Sequence, residues 1–208
     1  MEFVEPRSYL VDVEEGVLTD ASGRYEKKLK DLQGLYSDAV AFASAVKAGG
    51  DKVVYEVTDQ RPVASQSDLI FGVTCMRPGK IGDEFYMTRG HIHARSNRPE
   101  TYYGERGEGL MLLESPEGDV RILEVSPRQM CYVPPMWIHR SVNVGDTELV
   151  MSFCYPCDAG QNYEIIERSG GMRSRIVCQG AGWKEIPNER YVPRDRQAIA
   201  SILATADV

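Results

Sequence analysis

An all-β fold built from antiparallel strands is predicted for this 208-residue chain by two features of its sequence. From residue 53 onward, short runs of apolar, β-branched and aromatic residues recur at close intervals. Turn residues separate these runs, whereas parallel βαβ units would require a regular helix between successive strands. The chain is therefore expected to fold as an antiparallel barrel or sandwich, and its length suits one domain with terminal additions.

One helix is expected before the first predicted strand, at residues 37–48. Ser37 can cap its first turn, Asp38 favours that turn electrostatically, and two consecutive glycines can end it. A further helical turn is expected at residues 28–32. We therefore assign residues 1–52 to an N-terminal segment that packs on the barrel.

The predicted barrel occupies residues 53–186. Its strands are expected at residues 53–57, 69–76, 84–88, 110–113, 120–125, 131–133, 141–144 and 149–155. Two of these runs flank a Pro/Gly turn at residues 115–119, which predicts a β-hairpin. Beyond the barrel, residues 187–208 form a C-terminal extension with a helix expected at residues 198–204. The polar stretch before that helix, residues 190–196, is expected to be mobile.

The charge balance limits the partners of this chain. Lys and Arg total 24 against 31 Asp and Glu, giving a net charge of −7, which argues against sequence-independent binding to nucleic acid or anionic membranes. The N-terminus lacks a basic segment followed by an apolar stretch, and no apolar run approaches a membrane span, so a cytoplasmic protein is expected.

The five cysteines are expected to be reduced thiols. We interpret Cys154 and Cys157 as core residues rather than as a redox or zinc site.

All three histidines of the chain fall in two segments that together predict a metal site. On a β-strand, His91 and His93 point to the same side while Ile92 points into the packing. His139 can bring a third imidazole from a distant strand, and Glu100 would be the fourth ligand. Three neutral imidazoles and one carboxylate suit Fe(II), Mn, Co, Ni or Zn and leave two open positions on a six-coordinate ion. A lone histidine is commonly structural, but here every histidine fits the pattern.

Four stretches of the sequence resemble a known family. They are residues 78–88, the segment of His91 and His93, residues 132–143 and residues 155–163. In them the chain resembles the cupin superfamily, and within it the cupin-type glucose-6-phosphate isomerases first associated with archaea. The likeness extends from Val53 to Tyr163. The chain departs from the pattern at Arg128 and Met136, and at Gln161, where some relatives have histidine.

This resemblance implies a cupin antiparallel β-barrel of the jelly-roll type and reversible isomerisation between glucose 6-phosphate and fructose 6-phosphate. It implies one divalent metal per subunit, with Fe(II) favoured over Mn, Ni, Co or Zn, and a homodimer. The metal ligands it implies are His91, His93, Glu100 and His139. Among the tyrosines that it places near the sugar, Tyr155 ranks first as a catalytic group, and Glu100 is the candidate base because it lies within reach of the substrate. It places the substrate against seven residues, which are Tyr55, Thr74, Thr88, Gly90, Tyr102, Tyr155 and Tyr163.

Two other functions fit the same sequence. A cupin dioxygenase is the main alternative, because histidine-rich iron sites with open positions also activate dioxygen. A non-catalytic cupin that binds a sugar phosphate is the second. For the isomerase, two routes for the hydrogen between C1 and C2 stay open: proton transfer through Glu100, or a metal-assisted hydride shift.

Overall fold

The computed structural model describes residues 5–61 and 68–207, which form an all-β fold with a few short helices. The strands are β1 (Val11–Asp12), β2 (Val17–Leu18), β3 (Gly23–Lys28), β4 (Val53–Gln60), β5 (Leu69–Met76), β6 (Lys80–Ile81), β7 (Glu84–Phe85), β8 (Glu100–Arg106), β9 (Gly109–Glu114), β10 (Val120–Val125), β11 (Met130–Val133), β12 (Ile138–Asn143), β13 (Leu149–Pro156), β14 (Ser174–Gln179) and β15 (Gly182–Pro187). The helices are α1 (Ala39–Gly49), α2 (Glu164–Arg168) and α3 (Arg196–Ala204), with 3-10 turns at Leu29–Leu32 and Thr205–Asp207.

Two antiparallel sheets form the body of the fold. Six strands follow the order β11-β8-β13-β5-β4-β3, and three follow the order β10-β9-β12. Met76 and Met151 from the first sheet share one buried apolar cluster with Leu110 and Leu112 from the second. Because burial of apolar surface is the main stabilising contribution to folding, the two sheets are held face to face, as in a jelly roll. The predicted fold class is confirmed.

The N-terminal helix lies where the sequence predicts it, but its cap is a different residue. Asp38 caps α1 by accepting a hydrogen bond from the Ala41 N–H at 2.8 Å. Ser37, the expected cap, instead donates its backbone N–H to the Glu84 carboxylate at 2.7 Å. The start of the helix is therefore fixed to the sheet that contains β7.

The C-terminal helix α3 confirms the helix expected in the extension, and it packs on the loop that precedes β8. The Ser96 hydroxyl donates to the Ile202 carbonyl at 2.8 Å, and the Asn97 side-chain amide donates to the Ala206 carbonyl. These bonds join the end of the described chain to a loop more than one hundred residues earlier.

The stretch before α3 was expected to be polar and mobile, and this expectation is wrong at Arg194, which is buried and paired. Its side chain is 3% exposed, and its Nη1 lies 2.6 Å from an oxygen of the fully buried Glu114. The charge of Arg194 is therefore neutralised inside the protein, and the ion pair holds the extension to the end of β9.

The histidine segment is less regular than predicted. Of the strand expected at residues 84–88, only Glu84–Phe85 forms a strand. Gly90, at a φ of 73°, takes a left-handed conformation that interrupts the extended backbone. His91 then pairs with His139 in an isolated antiparallel bridge. The two segments meet through this bridge and a second one, between Met87 and Val142, rather than through a continuous ladder.

Several elements lie outside the sequence prediction, namely strands β1 to β3, β6 and β8, helix α2 and the β14–β15 hairpin. A helix of five residues, such as α2, leaves little periodic signal in a sequence.

The boundaries assigned to the N-terminal segment, barrel and extension stay a prediction. None of the five cysteines forms a disulfide within the described residues. Nor does any helix in these ranges combine the length and apolar character required to cross a bilayer.

Candidate metal centre and adjoining cavity

The three histidines converge on one point inside the fold. The His91 N–H donates to the His139 carbonyl at 3.0 Å, and the His139 N–H donates back to the His91 carbonyl at 2.9 Å. His93, two residues further on, has its ring centroid 5.5 Å from that of His91 and 5.7 Å from that of His139. The structure thus brings together imidazoles that the sequence separates by up to 48 positions, from 91 to 139.

Backbone carbonyls orient two of the three rings. His93 Nδ1 lies 2.7 Å from the Arg98 carbonyl, and His139 Nδ1 lies 3.1 Å from the Trp137 carbonyl. A carbonyl can only accept, so each Nδ1 donates to the backbone and each Nε2 is turned toward the cluster. Second hydrogen bonds of this kind fix the tautomer and direction of histidines that bind metals.

Glu100, the first residue of β8, completes the cluster. Its Oε2 lies 2.9 Å from His139 Nε2, 3.3 Å from His93 Nε2 and 3.9 Å from His91 Nε2. One donor atom from each of the four residues lies within 4.8 Å of all the others. Within the described part of the chain, the buried Nε2 atoms of His91 and His93 have no hydrogen-bond partner. Buried polar atoms that converge without partners fit a bound cation.

The protonation states of the cluster also suit a metal. Burial lowers the pKa of His91 well below its ordinary value, and the nearby His139 lowers it further. Burial alone would raise the pKa of Glu100, but its contacts with His139 and His93 outweigh that effect and lower the pKa. At neutral pH the site therefore presents a neutral His91 imidazole and an ionised Glu100, the forms that bind metals. The cluster can hold a metal ion.

A cavity adjoins this cluster, and every residue that the sequence assigns to the substrate lines it. These residues are Tyr55, Thr74, Thr88, Gly90, Tyr102, Tyr155 and Tyr163. His91, Glu100 and His139 also line the cavity, whereas His93 is not among its lining residues. Thr88 and Gly90 come from the irregular segment before His91, so the left-handed turn at Gly90 places both beside the cluster.

Tyrosines and histidines pack against one another around the cavity. The Tyr155 ring lies 5.5 Å from the His93 ring, and the Tyr163 ring lies 5.9 Å from the His91 ring. Burial raises the pKa of Tyr155 above its ordinary value and that of Tyr55 to about 12. Both phenols are therefore protonated at neutral pH and can donate hydrogen bonds to a ligand.

Sequence reasoning did not select two arginines at the wall of this cavity. Arg61 is paired with the buried Asp59, with Nη2 and Oδ2 separated by 2.6 Å. Arg89 lies over the Tyr163 ring at 4.6 Å from its centroid and pairs with Glu167 at 2.7 Å. No motif identifies either arginine, and the partner of Arg89 is 78 residues away in the sequence.

Arg140 is a third arginine at the cavity, and it was also missed. Its Nη2 donates to the Arg89 carbonyl at 2.7 Å, and its Nη1 lies 3.1 Å from Met87 Sδ. Burial lowers the pKa of Arg140 to about 10, so the side chain stays charged at neutral pH. Strand alternation would place Arg140 on the face opposite its neighbour His139, yet both residues line the cavity.

An antiparallel β fold with three histidines and one glutamate converging in its interior defines the cupin class. A protein-family model described as "Glucose-6-phosphate isomerase (GPI)" matches residues 26–194, which is most of the chain. The chain belongs to the glucose-6-phosphate isomerase family.

Individual relatives agree with this family assignment. The chain is 54% identical to a protein named glucose-6-phosphate isomerase from Sinorhizobium medicae (strain WSM419), over 95% of this chain and 93% of that protein. It is 39% identical to a protein of the same name from Thermococcus litoralis, over 88% of this chain and 94% of that protein. The likeness therefore includes both bacterial and archaeal members and covers the whole candidate site.

Proposed function

We propose that this chain interconverts glucose 6-phosphate and fructose 6-phosphate with one divalent metal bound by His91, His93, Glu100 and His139. The observation that carries the proposal is the convergence of these four donors beside a cavity lined by neutral tyrosines. Membership of the glucose-6-phosphate isomerase family supplies the substrate pair. Fe(II) is the ion we favour, and Mn, Ni, Co or Zn suit the same donors.

Aldose-ketose isomerisation requires stabilisation of the negative charge that develops on O1 or O2 when a C–H bond breaks. A divalent ion in this site supplies a Lewis acid for that charge. All three imidazole contacts of Glu100 are to Oε2, so Oε1 is the oxygen that we assign to proton transfer between C1 and C2. The Tyr155 hydroxyl, protonated at neutral pH, donates a hydrogen bond to the sugar.

The remaining cavity residues bind and orient the substrate. We assign Tyr55, Thr74, Thr88 and the Gly90 N–H to the phosphate end, since hydroxyl and backbone N–H groups donate to phosphate oxygens without steric bulk. Tyr102 and Tyr163 line the same cavity and are assigned to the sugar.

Metal removal tests the proposed function directly. Chelated, metal-free protein is expected to lose isomerisation of fructose 6-phosphate, because no cation then stabilises the charge that develops on the sugar oxygen. Added Fe(II), Mn, Ni or Zn is expected to restore the activity. The measurement is glucose 6-phosphate formation by a coupled assay, with metal content determined on the same samples. Full turnover in verified metal-free protein would contradict the metal role. Oxygen uptake without isomerisation would favour the dioxygenase instead.

We also propose a homodimer, with β11 at the contact. This strand ends the six-stranded sheet, and its Met130 and Tyr132 side chains are exposed apolar surface. An exposed apolar edge strand favours pairing with another chain. The mass by light scattering is expected to be twice that of one chain and to fall toward one chain in Met130→Glu. A single-chain mass at every protein concentration would contradict the dimer.

A further inference from the structure

Three arginines, Arg140, Arg175 and Arg194, lie around two buried carboxylates, Glu84 and Glu114. Glu114 is paired with Arg194 at 2.6 Å, and Glu84 is paired with Arg175 at 3.1 Å. Arg140 is 5% exposed, and no carboxylate of the described chain lies within 4.0 Å of it. Glu114 and Glu84 are the carboxylates with the greatest electrostatic effect on Arg140. Since both already have ion-pair partners, one positive charge remains uncompensated in the protein interior.

The contacts of Arg140 do not neutralise that charge. Its terminal nitrogens contact a thioether and a backbone carbonyl, which are both neutral. Its Nε, buried from solvent, has no hydrogen-bond partner among the described residues. A buried cation without an anion is unfavourable, because the protein does not replace the water that it has lost. This arrangement is expected at a position where an anion binds.

Gly90 lies against the Nε side of Arg140 with no side chain of its own between them. A Cβ atom added to Gly90 would lie 3.0 Å from Arg140 Nε and 2.9 Å from the His139 carbonyl oxygen. Gly90 and Arg140 both line the cavity beside the metal cluster. Any larger residue at position 90 would therefore crowd the guanidinium from the cavity side.

The other arginines of the cavity are already neutralised. Arg61 has Asp59 at 2.6 Å, and Arg89 has Glu167 at 2.7 Å. Arg140 is thus the arginine of this described cavity whose charge has no partner. In a protein with a net charge of −7, an uncompensated cation at this point favours an anionic ligand over a neutral one.

We propose that Arg140 supplies the positive charge that binds the phosphate group of the substrate, and so selects phosphorylated over neutral sugars. The identity of the sugar rests on the proposed function, whereas the anion site rests on the charges around Arg140. Its side chain is a specificity determinant and takes no part in the chemistry at C1 and C2.

Arg140→Met in the metal-loaded protein tests this proposal. Loss of one charge-assisted hydrogen bond is expected to raise the KM for fructose 6-phosphate about 10- to 100-fold, with kcat changed by less than about threefold. The Ki of inorganic phosphate as a competitive inhibitor is expected to rise by a similar factor. Equilibrium titration with inorganic phosphate measures the same loss without turnover. Unchanged KM and unchanged phosphate binding in folded Arg140→Met would overturn the proposal.

Two further variants separate recognition from structure. Arg168→Gln removes the same charge from an exposed arginine of α2 that pairs with Glu164, and it is expected to leave KM unchanged. Should Arg140→Met fail to fold, Arg140→Gln decides the matter. Glutamine removes the charge but keeps a polar side chain, so a rise of at least about tenfold in KM is expected. An unchanged KM in folded Arg140→Gln would then overturn the proposal.

The outcomes distinguish this inference from the proposed function. Wild-type protein that binds inorganic phosphate through Arg140 but does not isomerise fructose 6-phosphate would refute the isomerase and leave the anion site. Wild-type protein that isomerises the sugar, together with an unaffected Arg140→Met variant, would refute only the role of Arg140.

Discussion

Glu100→Gln is expected to lower kcat/KM for fructose 6-phosphate by about 10²- to 10⁴-fold, which is the usual effect of removing a positioned acid-base group. The amide keeps the size of the side chain, but it removes the negative charge that faces His139 at 2.9 Å and His93 at 3.3 Å. It therefore weakens metal binding and removes the proton acceptor together. Kinetics and metal content measured on the same samples report the two effects separately.

A matched control comes from the same strand. Glu105 of β8 accepts a hydrogen bond from the Ser152 hydroxyl at 2.5 Å, away from the metal cluster, so Glu105→Gln is expected to keep near wild-type activity. If Glu100→Gln also retains wild-type activity at full metal occupancy, Glu100 is neither an essential ligand nor a base.

Isotope transfer separates the two roles of Glu100. With C2-deuterated glucose 6-phosphate in ordinary water, proton transfer through Oε1 is expected to release part of the deuterium to solvent, because a carboxylic acid exchanges its proton quickly. Complete retention of deuterium at C1 would indicate direct hydrogen transfer between the carbons. Glu100 would then act as a ligand alone.

Glu114→Ala is expected to have the largest effect on stability, lowering the free energy of unfolding by about 3–5 kcal/mol. Glu114 is fully buried, accepts a bond from the Arg173 N–H at 2.6 Å and neutralises Arg194 at 2.6 Å. Without it, Arg194 joins Arg140 as a second buried cation without a partner. For a chain of this length the loss corresponds to a Tm lower by about 6–20 °C, measured by calorimetry or denaturant unfolding.

Two comparisons test the physical reason for this loss. The double variant Glu114→Leu with Arg194→Met removes both charges, so it is expected to recover most of the stability. Glu164→Ala breaks the exposed pair with Arg168 on α2 and is expected to cost less than about 1 kcal/mol. A Glu114→Ala variant as stable as Glu164→Ala would show that the buried pair does not hold the extension to the sheet.

The strands were predictable where burial alternates or where turn residues mark both ends. The run 69–76 matches β5 at both ends, and 120–125 matches β10 in the same way. The segment around Gly90 was not predictable as it folds, because its conformation depends on the bridge between His91 and His139. A pairing of residues so distant in sequence leaves no local pattern in either segment.

The candidate metal cluster could be predicted because the chain has three histidines and all of them follow one spacing pattern. The positively charged part of the cavity could not be predicted from the sequence. Arg140 adjoins His139 on β12, and alternation assigns it to the opposite face. Its importance emerges only when the partners of Glu84 and Glu114 are known, and those pairings join positions far apart in the sequence.

The contacts of α3 with the loop before β8 bear on how tightly a metal can be held. Six residues separate His93 from Glu100, and the hydrogen bonds of Ser96 and Asn97 to the C-terminal helix fix that loop during folding. The conformational entropy of the loop is therefore lost on folding, before a metal ion binds. Metal binding then does not include the free-energy cost of ordering this loop. A long connection between two ligands is in this way as preorganised as a short one.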